Sequence, residues 1–170
     1  MNLKDYVANV PDFPKKGILF RDITPLLSDA DAFAYSINQI VDFAKTQQAN
    51  VICGPEARGF IFGTPIAYVL NAGFVPIRKP GKLPRKAVTY SYELEYGSNS
   101  LSMHDDAVKL GDRVLIVDDL LATGGTLEAS IKLIESRGAK VVGIACIIEL
   151  EELHGRKKLE GYNVLSLMHY

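Results

Sequence analysis

The chain has 170 residues, of which 48% are hydrophobic and 23% charged, with a net charge of −1. That length suits one α/β domain with an adequate core, and the composition is that of a soluble globular protein. The near-neutral balance argues against nucleic acid or an anionic membrane as partner.

In chain order, the opening Met-Asn-Leu-Lys-Asp has no apolar signal core. No later apolar run reaches transmembrane length, so a cytoplasmic protein is expected. Residues 12–25 read as a strap with incidental aromatics over the sheet edge. Residues 29–46 set Phe33, Ile37, Ile40, Val41 and Ala44 on one helical face, with Ser28 or Asp29 as N-cap. A strand at 51–54, a helix over about 59–71 and a strand at 74–77 follow. Residues 79–87 carry no periodicity and form an exposed basic loop. Alternation over 89–95 and 98–104, broken at Gly97, predicts a hairpin. A strand at 113–117, a helix at 126–137 and strands at 140–148 and 163–168 complete the order. Strands alternating with helices imply one α/β domain, 1–170, with a mainly parallel sheet and helices on both faces. Cys53 and Cys146 lie in apolar strands without metal-ligand spacing and read as core thiols. The three histidines are scattered and receive no role.

The segment Val114-Leu-Ile-Val-Asp-Asp-Leu-Leu-Ala-Thr-Gly-Gly-Thr126 is the most informative. A buried strand ends in two carboxylates, Asp118 and Asp119, and a Thr- and Gly-rich turn opens the next helix. Ligands bind outside the carboxyl ends of parallel strands. Such a turn offers N–H groups and hydroxyls to an anion. Acids beside an anion cradle would repel a bare phosphate, so the segment suits a ribose phosphate, with or without bound Mg²⁺. No Walker loop or Gly-x-Gly-x-x-Gly is present, which leaves a nucleotide-dependent dehydrogenase poorly supported. Cys53-Gly-Pro-Glu-Ala-Arg-Gly-Phe60 is a second strand-loop-helix. Its Gly54 and Gly59 would let backbone approach a ligand, and Arg58 could pair with a phosphate. Arg78 to Lys86 holds five cations and no acid, which suits a solvated run or a lid. In the hairpin, Glu93 and Glu95 share a face, and composition does not choose between them.

The 114–126 segment resembles the phosphoribosyl pyrophosphate (PRPP) signature of the type I phosphoribosyltransferases, in the version carried by adenine-specific members. The similarity extends from Phe13-Pro14…Gly17-Ile-Leu-Phe20-Arg21-Asp22 to the last strand. It implies a purine-salvage enzyme that joins adenine to PRPP with Mg²⁺, giving AMP and pyrophosphate. It also implies displacement at the anomeric carbon through an oxocarbenium-like transition state. By this resemblance Asp118 and Asp119 hold the ribose hydroxyls, directly or through Mg²⁺, and Ala122, Thr123, Gly124, Gly125 and Thr126 cradle the 5′-phosphate. Glu56, Ala57 and Arg58 form the pyrophosphate loop, with a non-proline cis peptide at Glu56–Ala57. Arg78, Lys79 and Lys82 lie near pyrophosphate, the first two donated across a homodimer interface. Residues 1–27 form a hood over the base: Phe20 stacks on adenine, the backbones of Leu19 and Arg21 meet its Watson–Crick edge, and Ala122 packs opposite. Residues 79–104 are a flexible loop and hairpin in which Glu95, beside Tyr96, serves catalysis together with Arg58. Mg²⁺ is held mainly through PRPP, without a dedicated protein cage. Other readings of the same motifs are a transferase for another nucleobase or a non-catalytic PRPP-binding regulator.

Overall fold

The computed structural model describes residues 1–93 and 96–170. Its centre is a five-stranded, wholly parallel sheet in the order β4 (Gly73–Ile77), β3 (Val51–Pro55), β7 (Arg113–Leu121), β8 (Lys140–Glu149), β9 (Val164–His169). The alternation of side chains explains why it is covered on both faces. Ile52, Leu115 and Val117 point to one face, where α1 (Thr24–Ser28), α2 (Ala30–Thr46) and α3 (Arg58–Leu70) pack Leu26, Ile40, Phe62 and Ile66 against them. Cys53, Val114, Ile116 and Cys146 point to the other, under α4 (Gly125–Ser136) and the hairpin β5 (Ala87–Glu93)–β6 (Ser98–His104). Both cysteines are free and buried there, as core thiols.

Local chemistry sets the element ends. Asp29 is the cap of α2, its carboxylate accepting from the Ala32 N–H at 2.9 Å. The parallel strands run further than the apolar pattern indicates: β7 continues through both aspartates to Leu121, paired with β8 as far as Glu149. The strap at the beginning of the chain has regular structure of its own. β1 (Ala8–Val10) and β2 (Phe20–Asp22) form an antiparallel ribbon, and Asp22 holds the start of α1 by accepting from the Thr24 N–H and hydroxyl at 2.9 and 2.7 Å. The hairpin joins the sheet where Arg78 and Ser102 exchange backbone hydrogen bonds of 3.0 and 2.7 Å. No helix among the described residues is long and apolar enough to cross a membrane.

Candidate active site

The carboxyl ends of β4, β3 and β7 meet on one side of the sheet, and the strand-end loops there enclose a cavity of about 350 Å³. One wall is Pro55 to Arg58, the other Asp118 to Leu120 together with Ala122 to Leu127. The peptide bond Glu56–Ala57 is cis. Gly54 and Gly59 permit a close approach of backbone to backbone. A Cβ on either would stand 2.9 Å from the Val117 carbonyl oxygen, so both glycines let the turn after β3 close onto β7. The two motifs are thereby locked at a fixed separation.

Asp119 accepts a 2.9 Å ion pair from Arg58 Nε, and its own N–H donates to Asp118 Oδ1 at 2.8 Å. Burial, followed by the neighbouring Asp119 charge, pushes the Asp118 carboxyl well above the usual carboxylate range. The Arg58 guanidinium pairs with Asp119 and only partly offsets the repulsion felt at Asp118. Hydroxyl donors or a cation would relieve it. Facing them, Gly124 turns the chain at φ +87° into α4, whose first turn has no side-chain cap. Its opening N–H groups therefore suit an anion.

Arg58 and Asp119 also line a second, more apolar pocket of about 150 Å³, formed by Ile18 to Arg21, Ile23, Leu120, Ile148 and Leu150. Phe20 meets Phe13 edge-on at 5.1 Å between centroids, and the Arg58 guanidinium lies 5.9 Å from the Phe20 ring centroid. Leu19, Phe20 and Arg21 thus line one pocket, while Glu56, Ala57 and residues 122–126 line the other. Arg58, Asp119 and Leu120 stand at the junction, lining both pockets, whereas Ala122 belongs to the anion cavity alone. Glu95 lies outside the described residues. Tyr96 is 90% exposed and lines neither pocket.

Arg78, Lys79 and Lys82 gather around Glu56, an acid of their own chain that lines the anion cavity. Glu56 accepts from the Lys79 N–H at 2.8 Å, Lys82 Nζ at 3.1 Å and Arg78 Nη2 at 3.2 Å. Burial raises the Glu56 pKa, but these donors outweigh it and hold the carboxyl at about 2. Among the described residues no group of three or more His, Cys, Asp or Glu is arranged as a metal cage.

Sequence reasoning missed several neighbours. Leu120, Ile148 and Leu150 belong to the apolar pocket: Ile148 ends the strand predicted over 140–148, and extending the β7 alternation by three residues reaches Leu120. Gly155 packs so tightly behind the turn after β7 that a Cβ there would clash with the Ala122 carbonyl oxygen. No local signal announces it. Glu149 is buried and bound by Arg156 at 2.7 Å and by the Ser166 hydroxyl at 2.7 Å, which fastens the chain after β8 to β9. Two histidines have partners after all: His104 Nε2 accepts from the Arg85 N–H, and His169 Nδ1 lies 3.1 Å from Glu151. Neither lines the two pockets.

Comparison with known proteins agrees with this geometry. The family model for the phosphoribosyl transferase domain matches residues 20–167. An adenine phosphoribosyltransferase from Thermoanaerobacter pseudethanolicus is 56% identical, with 99% of this chain and 98% of that one covered and a TM-score of 0.95. The enzyme from Rhodothermus marinus is 47% identical, over 99% and 96%, with a TM-score of 0.93. That of Saccharomyces cerevisiae, crystallised with an imino-altritol bisphosphate and adenine, is 37% identical over 97% and 96%, with a TM-score of 0.91. The chain belongs to the phosphoribosyltransferase family, among its adenine phosphoribosyltransferases.

Proposed function

We propose that this protein transfers the 5-phosphoribosyl group from PRPP to adenine, giving AMP and pyrophosphate in purine salvage. The observation that carries the reading is the junction: an anion cavity and an apolar base-sized pocket share Arg58 and Asp119. A glycosidic bond between base and ribose has to form at such a junction. The base lies against Phe20, with the main chain of Leu19 and Arg21 at its Watson–Crick edge. Adenine offers an acceptor at N1 and a donor at the 6-amino group, so a backbone N–H and carbonyl suit it and leave a 6-oxopurine mismatched.

Asp118 and Asp119 accept from the ribose hydroxyls and orient the sugar, and their negative charge favours the positive charge that develops on the ribose ring. The N–H groups of residues 123–126 and the Thr123 and Thr126 hydroxyls bind the 5′-phosphate. The Glu56–Ala57 backbone and Arg58 face pyrophosphate. Arg78, Lys79 and Lys82 add positive charge to it. Glu95, beside Tyr96, exchanges a proton with the purine or stabilises the developing cation. The oxygen-rich donor pair Asp118–Asp119 fits Mg²⁺, which takes one or two carboxylates and completes its shell with substrate oxygens. When bound with PRPP, Mg²⁺ supplies neutralising charge for the leaving pyrophosphate. A homodimer belongs to the same proposal: α3 leaves Tyr68 and Val69 87% and 53% exposed, an apolar face suited to a second copy, and Arg78 and Lys79 then reach the neighbouring site.

The test is to mix purified protein, PRPP and Mg²⁺ with adenine, hypoxanthine, guanine, xanthine or orotate and identify the nucleotide. AMP and pyrophosphate from adenine alone are expected. No nucleotide from adenine would overturn the reading.

A further inference from the structure

Glu56 occupies an odd position for an acid. It lines the anion cavity and stands among the cations that a pyrophosphate would use. All three of its partners come from the basic loop: the Lys79 N–H at 2.8 Å, Lys82 Nζ at 3.1 Å and Arg78 Nη2 at 3.2 Å. The carboxylate is 14% exposed, while the Lys82 side chain is 50% exposed. Arg78 is not fully satisfied by this arrangement. Its Nε is buried and has no hydrogen-bond partner among the described residues, so the guanidinium keeps one donor for another acceptor.

We propose that the Glu56 carboxylate is an internal counter-anion that competes with pyrophosphate for Arg78 and Lys82 and so favours its departure. The inference rests on the phosphoribosyl-transfer reading above. Whether pyrophosphate lies in the same protomer's cavity or in a partner's, every donor that Arg78 and Lys82 spend on Glu56 is withheld from it.

The alternative is that Glu56 merely positions those side chains. The two roles have opposite signs. A positioning carboxylate, once removed, loosens the cations and weakens anion binding. A competing carboxylate, once removed, frees two cations and deletes a like charge beside a multiply charged anion. Competition is the stronger effect here. One exposed lysine held by one hydrogen bond gains little order from it, whereas like charges a few ångströms apart act directly on a polyanion. Glu56→Gln keeps the shape and the acceptor for the Lys79 N–H, so the loop anchor survives the change.

The experiment titrates inorganic pyrophosphate with Mg²⁺ into the full chain by calorimetry, for wild type and Glu56→Gln, at low and at high salt. The variant should bind pyrophosphate about fivefold more tightly at low salt, and the gain should shrink as salt screens the charges. Adding Lys82→Ala to Glu56→Gln should remove most of the gain. Glu56→Ala provides a second variant with the same expected sign, and thermal unfolding checks that each remains folded. Unchanged or weaker binding in folded Glu56→Gln and Glu56→Ala overturns the proposal alone. Wild-type protein that binds no pyrophosphate overturns both the proposal and the reading beneath it.

Discussion

The anion half of the site stands on the ends of β3 and β7, in the middle of the parallel sheet, whereas the base half leans on the β1–β2 ribbon at its margin. Behind the aspartates, Leu115, Ile116 and Val117 are fully buried, and Gly54 and Gly59 admit only one separation between the two strand ends. The ribbon is two strands of three residues, with Leu19 51% exposed beside it. The anion half thus rests on elements whose displacement would cost core packing. The apolar pocket adds to them a small appendage, with Ile18 to Arg21 set against Leu120 and Ile148.

Breaking the anion half should have the largest effect. Asp118→Asn and Asp119→Asn should each lower kcat/KM for PRPP by about 10²–10³-fold, as loss of a transition-state electrostatic contact does, while circular dichroism stays that of the wild type. Breaking the base half should be milder and selective. Phe20→Ala should raise the adenine KM by about tenfold, in line with roughly 1–3 kcal/mol for an aromatic face against a base, and leave pyrophosphate binding unchanged in a direct titration. If both substrates suffer equally, the two halves are not separate.

How much of this was legible in the sequence follows the same division. The strands, the flanking helices, the Asp118–Asp119 pair and the Thr123-Gly-Gly-Thr turn are local patterns, and a strand that ends in acids before a small-residue turn can be read without its surroundings. The cis bond at Glu56–Ala57 came from family resemblance, not from the residues. The β1–β2 ribbon was read as a strap because three-residue strands carry too few alternations to register. Leu150 in the apolar pocket and Gly155 behind the turn after β7 depend on where the chain goes after β8, and no local spacing encodes that. The clustering of Arg78, Lys79 and Lys82 on Glu56 spans more than twenty residues and was equally out of reach.

A smaller effect probes the support behind the anion half. Gly155→Ala would press a methyl group into the Ala122 carbonyl and Leu121, a clash that should destabilise the protein by about 1–3 kcal/mol. Thermal unfolding should register that as a drop of about 2–4 °C per kcal/mol. The smallest expected effect has the opposite sign. The folded-state pKa of Asp118 is raised, so its contribution to stability is present below the unfolded value near 3.8 and is lost as pH rises through the folded value. In Mg²⁺-free buffer Asp118→Asn should therefore unfold at a higher temperature than wild type at pH 7, and the advantage should vanish as pH falls below the ordinary carboxylate range. An inactive variant that is also more stable would mark Asp118 as a residue kept for function at the expense of stability.

The most direct test is a crystal structure of the wild-type protein with AMP. The account predicts the 5′-phosphate within hydrogen-bonding distance of the N–H groups of residues 123–126, ribose hydroxyls on Asp118 and Asp119, and the adenine ring against Phe20. A nucleotide bound elsewhere, with both pockets empty, would contradict it.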